Sequence, residues 1–199
     1  EQERFEEILH VAAEIKAHSG RGFDVDAQVS EWMKGVGDRT AGYVTPKTAI
    51  GAVVGNDDGE ILLVQRSDSG IWLYPTGWAD VGYSPAEVAV KEVKEETGMD
   101  CEPVRLLTVI DGLRAGFTRI PLYSLVFFCH ATGGELKPHP LETLDVGFFG
   151  RDNLPEPLAG QGEWVEQAFA AIEGAEHPTR FDQPRPAEEW PEFPSPDVT

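Results

Sequence analysis

The chain has 199 residues, with 16 Lys+Arg against 35 Asp+Glu and a formal charge of −19. That balance excludes a basic face for duplex nucleic acid, and it repels an anionic phosphate ligand at long range unless a metal ion or a few arginines help locally. A hydrophobic share of 41% supports a packed core, while no apolar run approaches the ~18 residues of a membrane span and no basic start leads into an apolar block, so neither a span nor a signal peptide is expected.

Residues 3–18 read as an amphipathic helix, with Phe5, Ile8, Leu9, Ala12 and Ile15 on one stripe. A second helix follows from residue 24 or 26 to residue 33 or 34, before Gly35 and Gly37. Two helices in some forty residues cannot make a self-sufficient core, so their stripe must pack elsewhere. A second subunit is favoured, which makes the chain a homodimer through these helices. The main domain begins near Thr45-Pro46. Strands are expected over 47–55 and 60–66, around a turn at Asn56-Asp57-Asp58-Gly59, then over 104–110, 122–131 and 144–149. Gly133-Gly134 reads as the end of the fourth strand. Helices are expected over 84–97 and 162–172. Strands with so few helices between them indicate an α+β mixed-sheet sandwich rather than a doubly wound sheet. The chain thus divides into a helical extension (1–43), a main domain (44–176) and a Pro- and acid-rich tail (177–199), with the tail loose on the surface or disordered.

Cys101 and Cys129 match no zinc spacing and suit small, semi-buried positions in a reducing cytoplasm. The histidines His10, His18, His130, His139 and His177 form no ligand pair at helical spacing, which disfavours a zinc hydrolase.

The segment from Gly77 to Met99 carries the chemistry. Ser84 is a good N-cap, Pro85 suits the first turn, Glu87 completes a Ser-x-x-Glu capping box, and Gly98 sits where a C-terminal cap belongs. A helix turns ~100° per residue, so Glu92, Glu95 and Glu96 share one arc. Like charges at that spacing cost a helix about 0.2–0.5 kcal/mol per pair. A bound hard cation such as Mg²⁺ offsets that cost, because it takes oxygen ligands. A bare Glu-x-x-Glu-Glu run is otherwise a plain solvated helix face.

With Gly77, Glu92, Val93, Glu95, Glu96, Gly98 and Met99 in register, the segment resembles the box of the Nudix hydrolases. Tyr83 stands where that family has its first glutamate, and Lys91 where it has arginine. The likeness extends to Gly42-Tyr43-Val44-Thr45-Pro46-Lys47, Trp72, Gly77-Trp78-Ala79-Asp80-Val81-Gly82 and Glu142-Thr143, similar to the subgroup with a helical N-terminal extension. The resemblance implies a Nudix-like α/β/α sandwich. It also implies a pyrophosphohydrolase that needs Mg²⁺ (or Mn²⁺) and cleaves a nucleoside diphosphate linked to a small moiety, ADP-ribose-like or CDP-choline-like.

On that resemblance Glu92, Glu95 and Glu96 hold the metal, and Glu95, Glu96 or Glu142 serves as the base, with Asp145 in reserve. Lys91 can pair with a carboxylate without arginine's planar fork. Tyr83 can brace the loop only through its hydroxyl. Thr76 stands where the family's turn has glycine. Arg66 and Arg119 are candidates for phosphate contact, with Arg114 as another in the same loop. Trp72, Trp78 and Phe117 have rings on which a base could stack, but aromatics of this kind more often serve packing, and they are left out of the site. The alternative function is a non-catalytic Nudix-fold ligand sensor, motivated by Tyr83 and Lys91. Capped-RNA processing fits the acidic balance poorly.

Overall fold

Asn56 sets the first hairpin. Its Oδ1 accepts from the backbone N–H groups of Asp58 at 3.1 Å and Glu60 at 2.9 Å, an Asx turn that closes the loop between two strands. The computed structural model describes Val11, residues 45–160 and residues 163–186. Apart from Val11 and Thr45, these belong to one compact unit. The helices expected over 3–18 and 24–34, the dimer contact assigned to them and residues 187–199 lie outside the described residues.

In chain order the elements are β1 (Lys47–Gly55), β2 (Ile61–Arg66), β3 (Trp72–Leu73), β4 (Thr76–Trp78), α1 (Pro85–Thr97), β5 (Met99–Asp111), β6 (Leu122–Gly134), β7 (Thr143–Phe149), α2 (Glu163–Ile172) and β8 (Arg180–Phe181). The strands form one sheet in the order β3-β2-β1-β6-β5-β8, while β4 pairs with β1 and β7 with β2. The β1–β6 and β5–β8 pairs are parallel and the others antiparallel, so the sheet is mixed.

Both faces of this sheet are apolar because its central strands β1 and β2 are buried at consecutive positions. Ile50, Ala52, Val54 and Leu62 pack under Val88, Ala89 and Val93 of α1. Val53, Ile61, Leu63 and Leu107 pack under Val165, Ala168 and Phe169 of α2. This is the expected α/β/α sandwich. Residues one apart on a strand point to opposite faces, so β1 and β2 serve two cores at once. Cys101 and Cys129 are free and buried in the α1-side core.

Three features depart from the sequence reading. The strand expected to stop before Gly133-Gly134 continues, because Gly133 and Gly134 pair with Asp100 and Met99, and β5 starts there rather than at residue 104. A register slip between Asp100 and Cys101 accommodates the extra pairing. Second, β3, β4 and β8 are two or three residues long, too short to show a period. Third, residues 177–182 are not loose. Arg105 donates to the carbonyls of Ala175 at 2.9 Å and His177 at 3.0 Å, Thr179 Oγ1 donates to Leu106 O at 2.9 Å, and β8 pairs with Thr108 and Val109. This segment covers a sheet edge that would otherwise present unpaired backbone groups.

Gly98 ends α1 in the left-handed conformation, with φ 75°, and its N–H bonds to Lys94 O at 3.0 Å. A Cβ there would run into the carbonyl oxygen of Glu135. Gly98→Ala is therefore expected to cost at least about 1–2 kcal/mol. Thermal melting followed by circular dichroism should show a fall of roughly 2–4 °C per kcal/mol for a chain of this size. An unchanged melting point would contradict the cap geometry.

Candidate active site

The acids come from α1, whose phase is fixed at its start. Ser84 Oγ accepts from Glu87 N at 3.3 Å and the Glu87 carboxylate accepts from Ser84 N at 2.6 Å, so the capping box forms as the sequence indicates. Val88, Ala89 and Val93 then turn into the core, and the glutamate arc meets β4. Glu96 is only 5% exposed, and its Oε2 accepts from Thr76 N at 2.9 Å. Burial pushes its carboxyl up to about 7; Glu92 and Glu142 push the same way, while the Thr76 N–H and Arg66 oppose them. Glu92 is also raised, first by burial and then by Glu95, Glu142 and Asp80 against Lys91.

Gly77 is where the strand meets the helix. A Cβ on this residue would fall on the carboxylate of Glu92 itself. Thr76 replaces a family glycine without strain: among the described residues no non-glycine has positive φ, and Thr76 Oγ1 donates to Ile50 O at 2.9 Å.

Lys91 is the cation of the acidic rim. Its Nζ lies 3.1 Å from Asp80 Oδ2, 3.0 Å from Glu95 Oε2 and 3.9 Å from Glu92 Oε1. The bonds to Glu95 and then Asp80 raise its pKa, so the ammonium stays charged. Lys91 thereby ties the loop before α1 to the helix. Tyr83 does not share this task. It is 54% exposed, no hydrogen bond to its hydroxyl occurs among the described residues, and it lies over a shallow groove with Ala86, Val90 and Pro103. The loop brace looked for at Tyr83 is supplied by Asp80, three residues after Gly77.

These groups border a cleft of about 470 Å³ that Arg66, Ser67, Asp68, Trp78 and Glu142 complete. Arg66 is clamped by Asp68, with Nε–Oδ1 at 3.0 Å and Nη2–Oδ2 at 2.6 Å. That clamp holds the Asp68 carboxyl down at about 2. The same guanidinium feels the charges of Glu96 and Glu142. The loop of Glu142 is stapled to the end of β2: Ser67 N donates to Glu142 O at 2.9 Å and Ser67 Oγ to Leu141 O at 2.8 Å. His139 Nδ1, buried without a hydrogen-bond partner, stands 4.0 Å from Glu142 Oε2.

The fold thus brings Glu92, Glu95, Glu96, Glu142 and Arg66 to one cleft. Arg119 and Arg114 are on the 112–121 loop, outside the cleft lining, and Arg114 donates to Gln183 O. Asp145 pairs with Gln65 across β2–β7 and caps its neighbour Val146 N, also outside the lining. Gly98 acts at the far end of α1. Ser67, Asp68, Asp80 and Trp78 also line the cleft, although the sequence reading gave none of them a place in the site. Asp80 and Trp78 had a local signal, their place in the glycine-rich turn from Gly77 to Gly82. Trp72 is buried as a packing residue, but Trp78 and Phe117 are 51% and 58% exposed.

The cleft wall carries six carboxylates (Asp68, Asp80, Glu92, Glu95, Glu96, Glu142) against the two cations Arg66 and Lys91. Among the described residues no three acids close on one point, and Lys91 holds Glu95 towards Asp80. The donor set still suits a hard divalent cation: it is all carboxylate oxygen, and Glu92 and Glu96 are partly or wholly withdrawn from water beside one another.

Comparisons with known proteins identify the family and its fold. The family model of the NUDIX domain matches residues 45–170. The Bacillus subtilis protein named "Putative ADP-ribose pyrophosphatase YjhB" is 33% identical over 182 residues, covering 90% of this chain and 83% of its own length. The crystal structure of an ADP-ribose pyrophosphatase from Streptococcus suis is 36% identical with a TM-score of 0.60, over 69% of this chain and all (100%) of that one. The crystal structure of a UDP-X diphosphatase is 30% identical with a TM-score of 0.64, over 90% and 85% of the two chains. The chain belongs to the Nudix hydrolase family, with the family's α+β fold, and is an enzyme acting on phosphoric anhydride bonds.

The raised carboxyl of Glu96 makes stability depend on pH. Its pKa of about 7 in the folded chain exceeds the ordinary 4.5. Between those values the folded state binds more protons than the unfolded one, so stability present below pH 4.5 is lost as pH rises through 7. In chelator-treated buffer, Glu96→Gln is expected to exceed the parent protein at pH 8 by on the order of 2–3 kcal/mol, with the gap closing in acid. Urea unfolding at both pH values measures it; an equal gap at the two would refute the assignment.

Proposed function

We propose that the enzyme is a divalent-metal-dependent pyrophosphohydrolase, using Mg²⁺ or Mn²⁺, that splits a nucleoside diphosphate joined to a small ADP-ribose-like or CDP-choline-like group. The observation that carries this reading is the surplus of acid in the cleft around Arg66. An anionic diphosphate cannot settle among six carboxylates and two cations without added positive charge. Glu92, Glu95 and Glu96 would hold that cation, whose chemistry is to neutralise the diphosphate and act as a Lewis acid on it.

The chain's own groups supply the rest. Arg66, oriented by Asp68, presents its guanidinium to a phosphate. Glu142 takes a proton from the attacking water; it is an exposed carboxylate on a loop anchored at Ser67, so it can approach a bound substrate. Glu95 or Glu96 is the other candidate for that proton. As the water oxygen bonds to phosphorus, the P–O bond of the bridge breaks, and the departing phosphate keeps the bridging oxygen. Lys91, anchored on Asp80, keeps Glu95 within the cleft wall. The buried free thiols Cys101 and Cys129 suit a reducing, cytoplasmic setting, and among the described residues no helix is long and apolar enough to cross a membrane.

Release of the nucleoside monophosphate (AMP, CMP or UMP) is to be measured on ADP-ribose, CDP-choline and a UDP-sugar with Mg²⁺ and with Mn²⁺. Turnover of at least one substrate, abolished by chelation, is expected; silence across the panel in both metals would sink the reading and favour a ligand sensor. Replacing Glu95 and Glu96 together by glutamine should lower kcat by about 100-fold or more. Gly77→Ala should act in the same direction by driving the Glu92 carboxylate out of place.

A further inference from the structure

Trp78 is the aromatic residue in the cleft lining, and it is placed as no packing residue would be. Its ring remains 51% exposed at the end of β4. The seat beneath it is firm: Trp78 pairs with Ala49 of β1, and Ala79 N donates to Thr48 O at 2.9 Å. Lys47 Nζ lies 5.2 Å from the centroid of the indole, a cation–π contact. The backbone beneath the ring is therefore held by β1, with a cation near the indole and open surface beside the residues proposed to grip the diphosphate.

We propose that Trp78, backed by Lys47, is the shelf on which the nucleobase of the substrate stacks, and that it makes the enzyme prefer base-bearing diphosphates. This rests on the pyrophosphohydrolase reading and adds to it the part of the substrate held. Every base has a π face, so an exposed indole takes a base without reading its edge. The other ring-seeking group in the substrate class is a quaternary ammonium such as choline. Lys47 argues against that occupant, because a second cation at the same indole would be repelled by the first. The ammonium of Lys47 instead suits the phosphate that follows the ribose.

The test is calorimetric titration of the full chain, in Mg²⁺, with AMP, ribose 5-phosphate and phosphocholine. The parent protein should bind AMP at least about tenfold more tightly than ribose 5-phosphate, the difference being the stacking contribution. Trp78→Ala should weaken AMP by about tenfold and leave ribose 5-phosphate within about twofold, and Trp78→Phe should recover most of the loss. Lys47→Gln should weaken AMP by a smaller factor. Equal losses for AMP and ribose 5-phosphate would mean a merely structural tryptophan. Such losses, a parent protein that does not favour AMP, or a loss confined to phosphocholine would each overturn the proposal. Turnover of the ADP-ribose, CDP-choline and UDP-sugar panel by the parent protein is scored separately: silence across it counts against the pyrophosphohydrolase reading, while the AMP titration still judges the shelf.

Discussion

Backbone against carboxylate is the contact on which this cleft depends. β4 and α1 approach so closely that the Glu92 carboxylate occupies the space a side chain at position 77 would need, and the Thr76 N–H is spent on Glu96. One glycine and one amide thus fix two acids relative to the sheet. The capping box at Ser84 and Glu87 sets the helix phase from one end, and the left-handed Gly98 stops it at the other. With the helix so pinned, Val88, Ala89 and Val93 can face the core only if the glutamates face the cleft.

That arrangement stores electrostatic cost. Glu96 is buried and Glu92 half-buried, and both are pushed toward the protonated form because charge is poorly solvated there and other carboxylates stand nearby. A protein without use for such a site would do better with neutral residues. The proposed divalent ion relieves the cost and supplies what an anionic substrate requires. Function and instability come from the same side chains, as is common where carboxylates are gathered for catalysis.

The departures from the family box have a local answer. Tyr83 leaves its own position without a carboxylate, but Asp80 on the same loop reaches Lys91, and Lys91 reaches Glu95. An ammonium is a compact point charge with rotatable donors, so it can bridge two carboxylates that a planar guanidinium would meet at fixed angles. Loop and helix are joined by a different pair of residue types in the same few ångströms of space.

The sequence alone determined the helix around Glu92, its two caps, the long strands β1, β2 and β6, and the family. Those features are local: a capping box, a glycine at a helix end and a short apolar run bounded by turn residues each lie within a few residues of chain. The tertiary structure decided what depends on groups distant in sequence. It selected Arg66 over Arg119 and Glu142 over Asp145 for the cleft wall, because Ser67 staples one loop to the end of β2 while the 112–121 loop lies elsewhere. It gave Asp80 the role of anchor and left Trp78 exposed beside the acids. It also ran β6 through Gly133-Gly134 and laid residues 177–182 along β5. Pairing across a sheet is set by whichever backbone arrives alongside, and no window of sequence contains both partners.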